Sequence, residues 1–233
     1  SSGITQINIL IGTIIASFEA GAVSYLYYAD RIYQINLAIA GIAIGTVSLP
    51  ILSKAIKKKN ISSISKIQNR AIELCLMLSI PASLGLIISS EEIVNALFGY
   101  GSFSEKNVAM TAQALKYFGF GVPAFALIKV LSNFYFARDN TISPFYISLL
   151  VILLNITISL YFFREIGFVI IPIATSISTW IGVIIYFFFL KKNNFIILKK
   201  YFFKNFQKII LSSTIMSLAL FKALDFYSEN LVY

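Results

Sequence analysis

A succession of long apolar runs with almost no charge inside them constrains this chain most. Crossing the hydrocarbon core of a bilayer takes roughly 20 apolar residues in a helix. Runs of that order fall at about residues 4–18, 23–56, 71–89, 109–136, 143–163, 168–190 and 206–227, the first of them short. The second holds Pro50 near its end, and Pro81 marks a kink in the third. Strands of a membrane barrel would alternate apolar and polar over about ten residues, and these runs are too long and too uniformly apolar for that. Helices satisfy every backbone group internally, as lipid demands. The expected fold class is all-α, a polytopic membrane helix bundle with about seven transmembrane helices.

Charge supports this class and orients it. Charged residues make up 12% of the chain, against about a quarter in soluble domains. The basic excess is concentrated in short tracts. Lys54, Lys57, Lys58, Lys59, Lys66 and Arg70 follow the second run, and Lys191, Lys192, Lys199, Lys200, Lys204 and Lys208 follow the sixth. Arg138 lies between the fourth and fifth. The opposite connections carry Lys106 and Arg164 beside Glu91, Glu92, Glu105 and Glu165. Lys and Arg favour cytoplasmic loops, so the first residue is expected in the cytoplasm and Tyr233 outside. A +9 charge distributed in this way points to membrane lipids as partners and not to nucleic acid.

Several chemistries have no support. The chain has no histidine and a single cysteine, Cys75, in the apolar stretch LCLML. An intrachain disulfide is thereby excluded, and the commonest general base and metal ligand is missing. No phosphate loop, zinc spacing or nucleophile elbow occurs. A membrane-embedded transferase would need clustered loop acids near a metal, and acids are sparse. No residue is assigned a catalytic or metal role and no cofactor is expected. The opening SSGITQINIL has neither an initiator Met nor a basic n-region, so it is not read as a signal peptide; the chain is expected to begin within a longer protein.

The informative residues are the ionised ones inside the runs. Asp30 and Arg31 stand directly before the uncharged run that begins at Ile32. Each costs about 2.5–3.5 kcal/mol at the centre of a membrane helix. They lie on the order of 10 Å in from the outer end. Neighbours on a helix point about 100° apart, so the two do not face one another directly. Arg31 shares a face with Ser24, Tyr27, Tyr28, Gln34 and Ile35 at spacings of three, four and seven. Two readings remain open: an arginine snorkelling beside a counter-ion, or a guanidinium lining a wet cavity. In the second, its planar fork suits a phosphate. Lys116 and Lys129 read as snorkelling side chains. Asn155, Ser159, Thr175, Ser176, Ser178 and Thr179 read as packing residues or, as a group, as oxygen ligands for a hard cation. Gly41, Gly45 and Ser48 point to close helix contact or bending. In the connections, SSEEIVNALFG reads as a short outer interfacial helix ended by Gly99, and NNFIILKKYFFKNF as an amphipathic inner segment near anionic lipid.

The stretch VSYLYYADRIYQINLAIAGIAIGTVSLPILSK resembles the eighth transmembrane helix of the bacterial lipid II flippases, the MurJ (MviN) family. IPASLGLIISSEEIVNALFGYGSFS is similar to the family's ninth helix and outer elbow, YFGFGVPAFALIKVLSNFYFARDNTISP to its tenth, and QINILIGTIIASF to its seventh. The resemblance implies the C-terminal lobe of a two-lobed, alternating-access transporter in the multidrug/oligosaccharidyl-lipid/polysaccharide exporter superfamily. Such a protein sits in the bacterial inner membrane and moves undecaprenyl-pyrophosphate-linked peptidoglycan precursor, an anionic lipid-linked glycan, from the inner to the outer leaflet. It needs N-terminal lobe helices that this chain lacks. The resemblance places Arg31 on the family's cavity arginine and Asp30 on the adjacent acid, with Ser24 and Gln34 on cavity-lining positions. Asn155 and Thr175 match two positions of a sodium site assigned in some members, where Gly12 and Ser159 stand in place of acids. A flippase for another lipid-linked oligosaccharide of O-antigen type, or an inactive partial chain, are the competing readings.

Overall fold

The computed structural model describes residues 2–230, with side chains described from 9 to 227. Nine α-helices carry the described chain: α1 (Ser2–Ala16), α2 (Ala22–Leu37), α3 (Ile44–Lys57), α4 (Ile61–Ile88), α5 (Ser90–Phe98), α6 (Glu105–Phe136), α7 (Ile142–Ile166), α8 (Ile170–Lys192) and α9 (Lys200–Asn230). No strand occurs among the described residues. Five helical stretches are long and apolar enough to cross a membrane: Ala22–Lys57, Ile61–Ile88, Glu105–Phe136, Ile142–Lys192 and Lys200–Tyr227. The fourth is a hairpin of α7 and α8. It reverses at Gly167, whose φ of 74° favours a residue without Cβ. The antiparallel course puts Val151 against Gly182 and Asn155 against Thr175.

Helix α6 runs through the centre and packs on α2, α4, α5 and α8. Leu115, Val122, Ala126, Val130 and Phe134 are buried along its length, while Ala109, Gln113, Lys116 and Phe120 form an exposed stripe on its first half. α1 leans on α7, and α9 lies against the outside of α4. Two apolar cores result. One, at the end bearing the basic turns, gathers Leu52, Ile72, Val130, Phe134, Tyr135, Tyr186 and Leu190. The other, at the opposite end, gathers Ile15, Ala29, Leu115, Phe118, Phe168 and Ile170.

Between α2 and α3 the helix widens into a π-helical segment, Ala38–Ala43. Here the chain passes α6 at close range. A Cβ on Gly41 would lie 3.0 Å from Ala126 Cα, and one on Gly45 would lie 2.8 Å from Asn133 Nδ2. Both glycines thus serve the close contact their positions imply. Short π segments inside helices frequently mark functional regions.

The polar tract before the third apolar run is helical, not a loop. α4 begins at Ile61, capped by Asn60 Oδ1, which accepts from the Ser63 N–H at 3.0 Å. Its polar residues Ser65, Gln68 and Asn69 are buried, because they hold the extended segment between α8 and α9. Gln68 Nε2 donates to Phe195 O at 2.7 Å, and Asn69 Nδ2 to Ile197 O at 2.7 Å. The Lys199 N–H donates to Asn69 Oδ1 at 3.0 Å. Arg138, in the α6–α7 turn, donates to Phe134 O at 2.6 Å and Phe195 O at 3.0 Å, with its guanidinium 4.4 Å from the Phe195 ring centroid. Burial there lowers the Arg138 pKa. Buried backbone groups need partners, and these side chains provide them where no helix can. At the other end, α5 is the short helix expected of the outer elbow, ending at Gly99. Glu19 Oε2 accepts from the Phe168 N–H at 2.7 Å, tying the α1–α2 turn to the α7–α8 turn.

Candidate functional site

Helix α2 buries Ala22, Ala29 and Ile32 against its neighbours, and Tyr33 stacks between Phe118 and Phe125 of α6, at 4.7 and 5.2 Å. With that face fixed, the 100° step between neighbours sends Asp30 and Arg31 to different surroundings. Arg31 is exposed and lies on an open stripe with Ser24, Tyr27 and Ile35. Its guanidinium donates to the Tyr27 hydroxyl at 3.2 Å and lies 4.8 Å from that ring's centroid. No ion pair within 4 Å joins it to Asp30; Arg70 and Glu73 do form one, elsewhere in the bundle.

Asp30 is half-buried. Gln34 Nε2 donates to its Oδ2. The carboxylate is thus held by a neutral donor on its own helix, which leaves the guanidinium to Tyr27.

Asp30 opens onto a partly open cavity of about 280 Å³ lined by α1, α2, α6, α7 and α8. Its polar lining is Thr13, Tyr27, Asp30, Tyr33, Asn155 and Thr175. Asn155 Oδ1 accepts from Thr175 Oγ1 at 3.4 Å and from Ser159 Oγ at 3.3 Å. Gly12 lines the same space and offers no side-chain ligand. Carboxylate charge in the described lining therefore comes from Asp30 alone. No group of three or more His, Cys, Asp or Glu able to hold a metal occurs among the described residues. A closed cage for a hard divalent cation does not fit this donor set; a monovalent ion or a proton at one carboxylate does.

Of the residues singled out in the sequence, the fold brings Tyr27 to Arg31, Gln34 to Asp30, and Asn155 to Thr175. It also joins the last pair to Asp30 through the cavity. Tyr28 is turned elsewhere: its ring packs on Phe98 of α5 and Phe103 of the turn after it, at 4.8 and 5.3 Å. Tyr33 and Thr13 are additional polar lining. Tyr33 had a usable signal, standing three residues beyond Asp30 on one helix; Thr13 had none.

A stack of long apolar helices with an arginine on an open face and a carboxylate at a mixed polar and apolar cleft defines a multi-pass membrane protein of transporter architecture. Solved transporters agree on the fold. An outward-facing multidrug resistance MATE family transporter of the MOP superfamily superposes with TM-score 0.72 at 16% identity, covering 98% of this chain and 52% of that one. A structure described as lipid II flippase MurJ, inward closed conformation, superposes with TM-score 0.84 at 30% identity, covering 94% of this chain and 45% of that one. The model of the family described as Lipid II flippase MurJ matches residues 1–233, and the chain belongs to that family. A probable lipid II flippase MurJ of Rhizobium meliloti (strain 1021) is 36% identical over 225 residues, 97% of this chain and 42% of that relative. One of Rickettsia prowazekii (strain Madrid E) is 36% identical over 231 residues, 99% of this chain and 46% of that relative. The chain thus spans about half the length of the curated relatives it matches.

Proposed function

We propose that the chain is the C-terminal lobe of an alternating-access flippase that carries lipid II, the undecaprenyl-pyrophosphate-linked peptidoglycan precursor, from the inner to the outer leaflet of the bacterial inner membrane. The observation that carries this reading is the exposed Arg31 guanidinium, bonded to a phenol and not to a carboxylate. A planar cation of this kind, held 3.2 Å from Tyr27, accepts a phosphate in bidentate fashion without first breaking an ion pair. Ser24, Tyr27 and Gln34 supply further hydrogen bonds along that helix, and Tyr28 borders the outer end. The glycan head group is shielded between this stripe and a facing lobe, while the polyprenyl tail stays in lipid.

In this reading the chain crosses the membrane seven times, with α1 as a short first crossing. The first residue is cytoplasmic and Tyr233 periplasmic, since the turns at 58–60 and 193–199 and the adjoining helix ends carry most of the lysines. Asn155 and Thr175 are candidate ligands for a coupling cation, with Asp30 across the cavity. One charge moved across 100 mV is worth about 2.3 kcal/mol, enough to bias a cycle between two states. The chain performs no covalent chemistry here: it binds, shields and releases.

The test is Arg31→Ala and Arg31→Lys in the full-length natural protein, read by rescue of a flippase-depleted strain at matched expression. Loss with Ala and partial rescue with Lys are expected. Full rescue by Arg31→Ala would remove the guanidinium from the mechanism.

A further inference from the structure

The two apolar cores meet at one level of the bundle, and each helix that contributes to both is irregular or polar there. On α6 the buried residues pass from the far core at Val122 to the basic-end core at Ala124, and Pro123 stands between them. On α4 the change falls between Leu86 and Leu76, with Pro81 in the interval. Along α2 and α3 it falls between Ile32 and Ala40, where the π segment Ala38–Ala43 begins. On α7 and α8 the same level is taken by buried Asn155, Ser176, Ser178 and Thr179. Proline lacks the N–H that would bond the carbonyl four residues back, and a neighbouring helix serves that carbonyl instead: Ser83 Oγ donates to Gly119 O at 2.7 Å. Ser176 Oγ donates to Tyr117 O at 2.8 Å, and Trp180 Nε1 to Phe120 O at 2.9 Å. Tyr33 stacks on Phe118 and Phe125, one ring on each side of Pro123, so α2 and α6 are coupled across the proline.

Helices kink at prolines and at π segments, and side-chain donors on neighbouring helices keep the freed backbone groups satisfied in lipid. We propose that this level is a hinge. Each core is a rigid body, and the far body tilts on the basic-end body by bending α2–α3 at the π segment and α4 and α6 at their prolines. Ala29 and Ile32 belong to the far core, so the tilt carries Asp30 and Arg31 with it and repacks neither core. From Ala38 to Val23 the helix runs about 22 Å; a tilt of about 20° over that length moves the tip of α2 sideways by roughly 8 Å. The i→i+5 pattern of the π segment takes up one residue more than a regular turn. Deleting one residue there restores regular helix and leaves the faces of α2 and α3 in phase.

The experiment is spin-label distance measurement on the full-length natural protein in lipid nanodiscs, with cysteine pairs at exposed positions. Val23→Cys/Phe188→Cys spans the hinge, Val23→Cys/Tyr161→Cys lies within the far body, and Ile51→Cys/Phe188→Cys lies within the basic-end body. Given that sideways travel, the spanning pair is expected to give a distance distribution roughly twofold broader than either internal pair. Pro123→Ala combined with deletion of Ile39, an exposed residue of the π segment, is expected to narrow it to the internal width with the thermal midpoint near or above wild type. A wild-type spanning distribution as narrow as the internal ones overturns the hinge, and that comparison stands even where the combined variant does not fold. A spanning distribution that stays broad in the folded variant also overturns it, as does equal breadth in all three wild-type pairs, which would mean loosening throughout. The inference deepens the transport reading, and its test is separate from it: Arg31→Ala is expected to leave all three distributions unchanged.

Discussion

Asn69→Ala should open the connection between α8 and α9 while leaving the rest of the bundle folded. Asn69 is fully buried and acts at both ends of its amide. Its Nδ2 donates to Ile197 O at 2.7 Å, and its Oδ1 accepts from the Lys199 N–H at 3.0 Å. Alanine removes both. Ile197 O keeps Ser65 Oγ at 3.1 Å, so that carbonyl is not orphaned, but the Lys199 N–H loses its acceptor. An orphaned buried donor costs about 1–3 kcal/mol and an ordinary lost hydrogen bond about 1. A local loss of about 2–3 kcal/mol follows, and at 1.4 kcal/mol per decade the open fraction of the segment rises roughly 30- to 140-fold. Limited trypsin digestion in detergent reads that fraction directly when opening and closing are fast relative to cleavage. The expected new cuts fall at Lys191, Lys192, Lys199 and Lys200, which flank the segment. Cuts at Lys54, Lys57, Lys58 and Lys59, on the far side of α4's first turn, should keep their rates. The exposed Ser62→Ala on the same helix is the control. Cleavage of Asn69→Ala within about threefold of wild type would show that the side chain does not hold the segment; equal acceleration at both lysine groups would show global loosening instead.

Three further outcomes are expected. Gly167→Ala forces a Cβ into φ 74°, ψ −158° and to 2.9 Å from Glu19 Oε2; a backbone strain of about 1–3 kcal/mol should lower the thermal midpoint, and an unchanged midpoint would refute the strain. Gly41→Val presses on Ala126 Cα and should destabilise or displace the α2–α3 helix, whereas Gly85→Ala, with no atom within 4 Å of the added carbon, should be neutral or stabilising by roughly 0.5–1 kcal/mol; equal melting of the two variants would contradict the packing. Ser24→Cys and Ile35→Cys in the full-length protein should react with a membrane-impermeant maleimide while buried Cys75 stays unlabelled until unfolding; protection of both introduced thiols would mean that the Arg31 stripe is dry.

The class of the fold was legible because apolar runs of bilayer length permit few alternatives. The separation of Asp30 from Arg31 was legible for a similar reason: one residue on a helix is a fixed angle. Resolution finer than that angle was not. Tyr28 and Tyr27 both stand within a turn of Arg31, and only the position of α5 and the turn after it, with Phe98 and Phe103, decides that Tyr28 turns away. The tract ISSISKIQNR was misleading because polarity usually marks solvent. Here Ser65, Gln68 and Asn69 are polar because they face the backbone of a connection more than 120 residues away, a partner that no local pattern announces. The cavity is the same case. Asp30, Asn155 and Thr175 each have an ordinary local explanation, and they become one site because α6 holds α2 and α8 at fixed positions on its flanks.

That arrangement gives the two charges separate work. Had Asp30 and Arg31 been one turn apart they would face each other and close an ion pair, and in the proposed reading a phosphate would have to break it. Adjacent in sequence, they are split by the helix itself. The carboxylate goes inward, where Gln34 holds it, and the guanidinium goes outward with only a phenol to leave. A substitution that restores facing geometry, such as Tyr27→Glu, should therefore impair transport as severely as Arg31→Ala while leaving expression and the thermal midpoint near wild type. Rescue by Tyr27→Glu at wild-type level would show that the arginine need not be available, and with it the reason for placing two ionised residues side by side in a membrane helix would have to be sought elsewhere.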